Sequence, residues 1–243
     1  MAITIEVCAN SLTSVLNAQA GNADCAELCE ALEVGGLTPS YGMLKSVFEW
    51  KTIPIRVLIR PRSGNYTYTN FETLTMIRDI QLCKEMGFEG VVLGALTKTK
   101  TIDFDVLKKL VEAASGMQLT FHRAIDACRN PFEALPELIK MGFDKILTSG
   151  GKPTAEMGIG QITQMQQQFG NQIHIMAGGG INPQNVLKII ESTQITHCHF
   201  SASKIQYQGA TPENPKDATG ALMTWTESNV KTIKTIRKIV DNL

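Results

Sequence analysis

The sequence predicts a (β/α)8 barrel of the TIM type, built as a single domain over residues 1–243. Three observations predict it. Eight short β-like runs alternate with helical stretches along the 243 residues, several helical stretches end in Gly just before the next strand, and no glycine cluster follows the first strand. Repeated strand–helix–strand units build parallel sheets, and about 250 residues is the usual size of a closed barrel. An open doubly wound sheet is the alternative. It usually carries a phosphate loop after its first strand, where this chain has CANSLTSV.

The strands are expected at Thr4–Cys8, Ala26–Cys29, Ile55–Ile59, Gly90–Leu93, Leu119–Phe121, Lys145–Thr148, Ile173–Ala177 and His197–Ser201. Helical periodicity runs through Phe71–Met86, Phe104–Ser115, Pro131–Met141, Ile159–Phe169 and Pro183–Glu191. Ser228–Asp241 reads as the closing helix, with Ser228 as its N-cap. Gly87, Gly142 and Gly170 stand where a left-handed C-cap is expected. Residues 205–227 read as a long loop, rich in Pro, Gly and Asn between Tyr207 and Gly220. Such a loop is expected to be mobile, over the barrel mouth or at an oligomer contact.

Composition excludes several classes of function. Lys plus Arg number 23 and Asp plus Glu number 23, so no excess charge calls for nucleic acid or an anionic membrane. No run approaches the ~20 apolar residues of a membrane-spanning helix, and the first residues lack a basic, apolar leader. A cytoplasmic location is expected. There the six cysteines would be free thiols, metal ligands or core residues.

Strand alternation points to the chemistry. In a barrel, every second residue faces the axis, and the C-terminal strand ends form the site. Placing Ile3, Ile5, Val7, Ala26, Leu28, Val57, Ile59, Leu119, Phe121, Cys198 and Phe200 against the helices turns the other set inward. That set includes Thr4, Glu6, Cys8, Cys25, Glu27, Cys29, Leu58, Arg60, Arg62, Thr120, His122, His197, His199 and Ser201. Buried charges are costly unless paired, so Glu6 and Glu27 are expected to bridge to Arg60 or Arg62. Such pairs would also serve merely to plug the barrel. Ordinary barrel interiors are filled by Val, Ile and Leu layers, so the whole polar set calls for a further explanation.

Ser149-Gly150-Gly151 and Gly178-Gly179-Gly180 follow strands six and seven, where backbone N–H groups can hold a phosphate or carboxylate. Gly is also common in short turns, so this signal is weak alone. Cys83, Cys128 and Cys198 read as packing or surface residues. Cys8 and Cys29 fall on adjacent strands, with Cys25 below them, and neighbouring thiolates are soft ligands that favour Cu(I).

At these residues the chain resembles the CutC family of copper homeostasis proteins over about residues 3–204. The resemblance is carried by Glu6-Val7-Cys8 with Ser11; by Ala23-Asp24 and Glu27-Leu28-Cys29; by Gly35-Gly36-Leu37-Thr38-Pro39-Ser40; and by Ile59-Arg60-Pro61-Arg62. It continues through Thr120-Phe121-His122-Arg123-Ala124 with Asp126, Leu147-Thr148-Ser149-Gly150, and His199 with Ser201-Ala202. It implies a TIM-like barrel in the cytoplasm, a homodimer or larger homo-oligomer, and Cu(I) handling. The family's thiols fall on Cys8 and Cys29. Two departures stand out: Cys25-Ala26 where the family has Arg and an apolar residue, and Ser63-Gly64-Asn65 where it has a glycine-rich stretch ending in an acid.

Two functions stay open on this sequence, with a bare interaction scaffold as a third. One is Cu(I) binding at Cys8 and Cys29, with Cys25 or a histidine. The other is a lyase, isomerase or hydrolase acting on a small anionic metabolite. For that, Arg60 and Arg62 would clamp the anion together with Ser149, Gly178, Gly179, His199 and Ser201, while Glu6, Glu27 or His122 moves a proton. No inward lysine stands at a strand's C-terminal end for a Schiff base, with Lys204 the exception to check.

Overall fold

The computed structural model describes residues 2–207, 211, 215–217, 219–220 and 222–243. The chain runs β1 (Thr4–Ala9), α1 (Leu12–Ala20), β2 (Cys25–Leu28), a 3-10 turn (Leu32–Val34), α2 (Tyr41–Trp50) and β3 (Ile55–Leu58). It continues with α3 (Asn70–Met86), β4 (Gly90–Leu93), α4 (Phe104–Ala113), β5 (Gln118–Phe121), α5 (Ala124–Ala127) and α6 (Pro131–Lys140). Then follow β6 (Lys145–Thr148), α7 (Ile159–Phe169), β7 (His174–Gly178), α8 (Val186–Thr193), β8 (His197–Phe200), β9 (Ser203–Tyr207), β10 (Thr224–Ser228) and α9 (Val230–Val240).

Strands β1 to β8 pair in order and close, β8 returning to β1 through Thr4↔His197 and Glu6↔His199. All eight pairings are parallel. The predicted barrel is therefore present. Its outer apolar set (Ile5, Val7, Leu28, Val57, Ile59) is completely buried under the helices. Burial of each such side chain is worth about 1.5–3 kcal/mol. Local signals place the helix ends. Ser11 accepts the Ser14 N–H at the start of α1, and Thr69 with Glu72 closes a reciprocal cap on α3. Gly87 ends α3 at φ +85°, as its position predicted.

Three local expectations are corrected. Gly170 is right-handed, at φ −59°, so no left-handed turn separates α7 from β7. Ser228 ends β10, and Asn229 caps α9 instead, accepting the Thr232 N–H. The span expected as loop carries an antiparallel pair, β9 with β10, from Ser203↔Ser228 to Tyr207↔Thr224. Short side chains on and beside α1 hold it. Asn10 Nδ2 donates to Thr226 O at 3.0 Å, Asn17 Nδ2 donates to Ser228 O at 2.8 Å, and Ser14 Oγ accepts the Ser228 N–H at 3.0 Å. Much of the proposed mouth-covering segment, residues 208–210, 212–214 and 218, lies outside the described residues.

Candidate functional site

The barrel interior is polar over most of its height, and it divides into two levels. In the lower level Glu6, fully buried, accepts from Arg56 at 3.0 Å and from Lys145 at 3.4 Å. Cys25 donates to the same Glu6 oxygen at 3.2 Å. Burial alone would raise the Glu6 carboxyl, but Lys145, His199 and Arg56 outweigh it and hold the pKa at about 2. Burial and the Glu6 charge push the Cys25 thiol far up. This level opens towards the N-terminal strand ends, into a separate cavity lined by Cys25, Arg56, Lys145, His174 and His197.

The expected pairing of Glu6 and Glu27 with Arg60 or Arg62 is therefore overturned. Glu6 takes Arg56 and Lys145, which alternation from Ile55 and Ile146 would also have turned inward. Glu27 takes His199, at 3.3 Å. Arg60 spends its guanidinium on backbone oxygens: Val34 and Gly36 at 2.9 Å through one nitrogen and Gly64 at 2.9 Å through another. Arg62 pairs with Glu72 at the start of α3 and donates to Thr67 O, so it does not reach the cavity wall. A two-arginine clamp does not form, because loop closure consumes both groups. Lys204 is exposed on β9, away from the cavity wall.

The upper level opens at the C-terminal strand ends into a cavity of about 560 Å3. Small-molecule sites usually fall in this range. Its floor holds Cys8, Glu27 and His199, one ligand atom of each lying within 4.8 Å of the others. Cys8 Sγ is 3.8 Å from Cys29 Sγ and donates to Glu27 Oε1 at 3.9 Å. Leu58 and Val92 pack beside the two thiols. The Cys29 thiol, burial and the Glu27 charge all push the Cys8 thiol above its ordinary value of 9.0, so it is protonated when unliganded. Burial opposes charge on His199, yet Glu27 beside it and Glu6 below it prevail and raise its pKa above 6.5. The Glu27–His199 contact lacks hydrogen-bond alignment, leaving Glu27 Oε2 and His199 Nε2 open to a third group.

His122 sits across the floor, its ring 4.8 Å from Tyr66. Burial and the Arg60 charge lower its pKa to about 3, so it is neutral. Its Nδ1 accepts the Ala124 N–H at 3.2 Å, which puts the ring proton on Nε2. On the opposite rim Arg123 donates to Asp126 at 2.9 Å and to Ser149 Oγ at 2.7 Å. Asp126 also accepts from Thr148 Oγ and from the Ser149 and Gly151 amides, pinning the loop after β6.

The structure thus brings together Cys8, Cys29, Glu27, His199 and His122, with Ser201 and Gly179 on the same wall. Glu6, Cys25 and Arg62 stand elsewhere. Gly178 is inside β7, and the Ser149 hydroxyl is engaged by Asp126 and the Lys152 carbonyl. Sequence reasoning missed Arg123, Asp126, Lys152 and Tyr66 as wall residues. Arg123 stood in the quoted His122-Arg123-Ala124 motif and Asp126 was quoted beside it, but both lie past the strand end, where alternation assigns no direction.

The CutC family pattern matches residues 3–204, most of the chain. The chain belongs to the CutC family. A CutC family protein of Pasteurella multocida is 46% identical over 197 residues, covering 81% of each chain. One from Bacteroides fragilis is 39% identical over 241 residues, covering 98% of this chain and 96% of its own. Among solved structures, CutC of Streptococcus agalactiae, a candidate copper homeostasis protein, superposes with a TM-score of 0.79 at 33% identity. It covers 82% of this chain and 98% of its own. A thiamine phosphate pyrophosphorylase from Pyrococcus furiosus shares only the fold, with a TM-score of 0.61 at 16% identity, 99% of this chain and 96% of its own being covered. Among the described residues, no helix is long and apolar enough to cross a membrane.

Proposed function

We propose that this CutC family member binds Cu(I) at the barrel mouth, with the Cys8 and Cys29 thiolates as ligands. The observation that carries the reading is the 3.8 Å separation of the two sulfurs, with the His199 and Glu27 ligand atoms beside Cys8. Two thiolates bridged by a d10 cation need nearly this spacing, and soft sulfur suits Cu(I) better than hard cations. The ion replaces two thiol protons, so uptake releases acid. His199 is positioned to add a nitrogen ligand.

A cytoplasmic, reducing setting fits six cysteines that all stand free. Assembly into a homo-oligomer is supported by the large apolar side chains of Tyr41, Trp50 and Phe71, exposed at 59%, 63% and 84% on α2 and α3. Light scattering of the purified protein tests that part.

The ligand assignment is tested by Cu(I) competition with a chromophoric chelator under anaerobic conditions. One ion per chain is expected, reduced at least about tenfold in affinity by Cys8→Ser and by Cys29→Ser. Unchanged binding in both variants refutes the assignment.

A further inference from the structure

The wall of the upper cavity carries a second set of groups that copper does not use. Gly179, Gly180 and Ile181, in the turn after β7, line the cavity, and their amide N–H groups have no acceptor among the described residues. Gly179 adopts φ +102°, and a Cβ there would lie 3.4 Å from the Arg123 guanidinium. That cation therefore rests directly on the turn. Arg123 engages Asp126, Ser149 and the Lys152 carbonyl through Nε and one terminal nitrogen; its other terminal nitrogen has no hydrogen-bond partner among the described residues. Lys152, an exposed residue, lines the same cavity. Across the cavity His122, 95% buried, holds an Nε2–H with no acceptor among the described residues. Apart from Glu27 Oε2 at the thiol end, these open groups are donors, and the wall's fixed cations (Arg60, Arg123, Lys152) outnumber its carboxylates (Glu27, Asp126).

We propose that this turn, with Arg123 and Lys152, seats the phosphoryl group of a small phosphorylated metabolite, whose body extends across the cavity towards His122. Three consecutive amides and two cations match a tetrahedral group with three terminal oxygens better than a planar carboxylate with two. The acceptor that His122 needs is an oxygen on the rest of the molecule. The Asp126 carboxylate does not repel the ligand, because Arg123, Thr148, Ser149 and Gly151 already engage it. The cavity of about 560 Å3 leaves room for such a molecule beside the thiols. The assignment replaces the Arg60–Arg62 clamp expected from sequence and is independent of the copper site.

Amide NMR of the full-length, metal-free protein, titrated with inorganic phosphate and separately with succinate, tests it. Saturable phosphate-induced shifts at Gly179, Gly180 and Ile181 are expected. Affinity should fall at least about tenfold in Arg123→Gln. It should also fall in Lys152→Ala, which removes an exposed side chain and leaves the fold intact. Cys8→Ser and Cys29→Ser should leave the phosphate response unchanged, which separates this seat from the copper reading. A response to succinate alone, phosphate shifts confined to other residues, or equal affinity in Lys152→Ala with the fold preserved would overturn the proposal.

Discussion

Glu6 on β1 and Arg56 on β3 meet at 3.0 Å inside the barrel, their side chains 0% and 7% exposed. The pair, with Lys145 at 3.4 Å, replaces the aliphatic layer usual at this depth. Glu6→Gln leaves two buried cations without a counter-charge, and the expected cost is about 3–5 kcal/mol. Urea denaturation measures it; an unchanged midpoint would show that water, rather than Glu6, balances those cations.

The same pair makes the protein acid-sensitive. The folded Glu6 pKa of about 2 lies below its ordinary 4.5, so its stabilisation is complete above pH 4.5 and drains away as pH falls towards 2. The shift corresponds to about 3 kcal/mol. In thermal melts between pH 5 and 2.5, wild type should lose this stability, and Glu6→Gln should lose much less.

The two histidines of the upper level should behave oppositely. His122, lowered to about 3, stays neutral, and its cost of protonation destabilises the fold as pH drops below 6.5. His199 is raised, so its contribution is present below pH 6.5 and fades as pH rises through its folded value. Long-range 1H–15N spectra of the imidazoles should show His199 still charged at pH 6.5 and losing its proton only above it, beside a silent, Nε2-protonated His122.

Cys25 was grouped with the other inward thiols by alternation alone. It donates to Glu6 in the lower level, behind the Cys8–Glu27–His199 cluster. Cys25→Ala should leave the Cu(I) stoichiometry and affinity unchanged in the chelator assay that detects the loss in Cys8→Ser. A matching loss in Cys25→Ala would mean that the lower level takes part.

Gly94, just past β4, holds a place next to His122. A Cβ added there would lie 2.6 Å from Cε1 of the imidazole and 3.1 Å from the Phe121 ring. Gly94→Ala should displace the ring and cost about 1–3 kcal/mol, visible in denaturation and in the His122 resonances.

The periodicity of two along Ile3–Cys8 and Cys25–Cys29 was enough to turn Glu6, Cys8, Glu27 and Cys29 inward, and the barrel placed all four there. The same rule extends to Arg56 and Lys145, the true partners of Glu6. What it could not supply was which charge meets which. Arg60 was legible as inward, yet its three bonds to Val34, Gly36 and Gly64 depend on how the loops after β2 and β3 close over it.

The sequence by itself determined the order of the eight barrel strands, their parallel closure, and, within those strands, which side chains face the axis. These follow from local spacing and from the need to bury the apolar face of each element. Only the tertiary structure decided the pairing of charges, the height of each thiol, and the turn of Gly179 against Arg123. Those depend on strand stagger and loop closure, which bring together residues more than a hundred positions apart, as with Glu6 and Lys145.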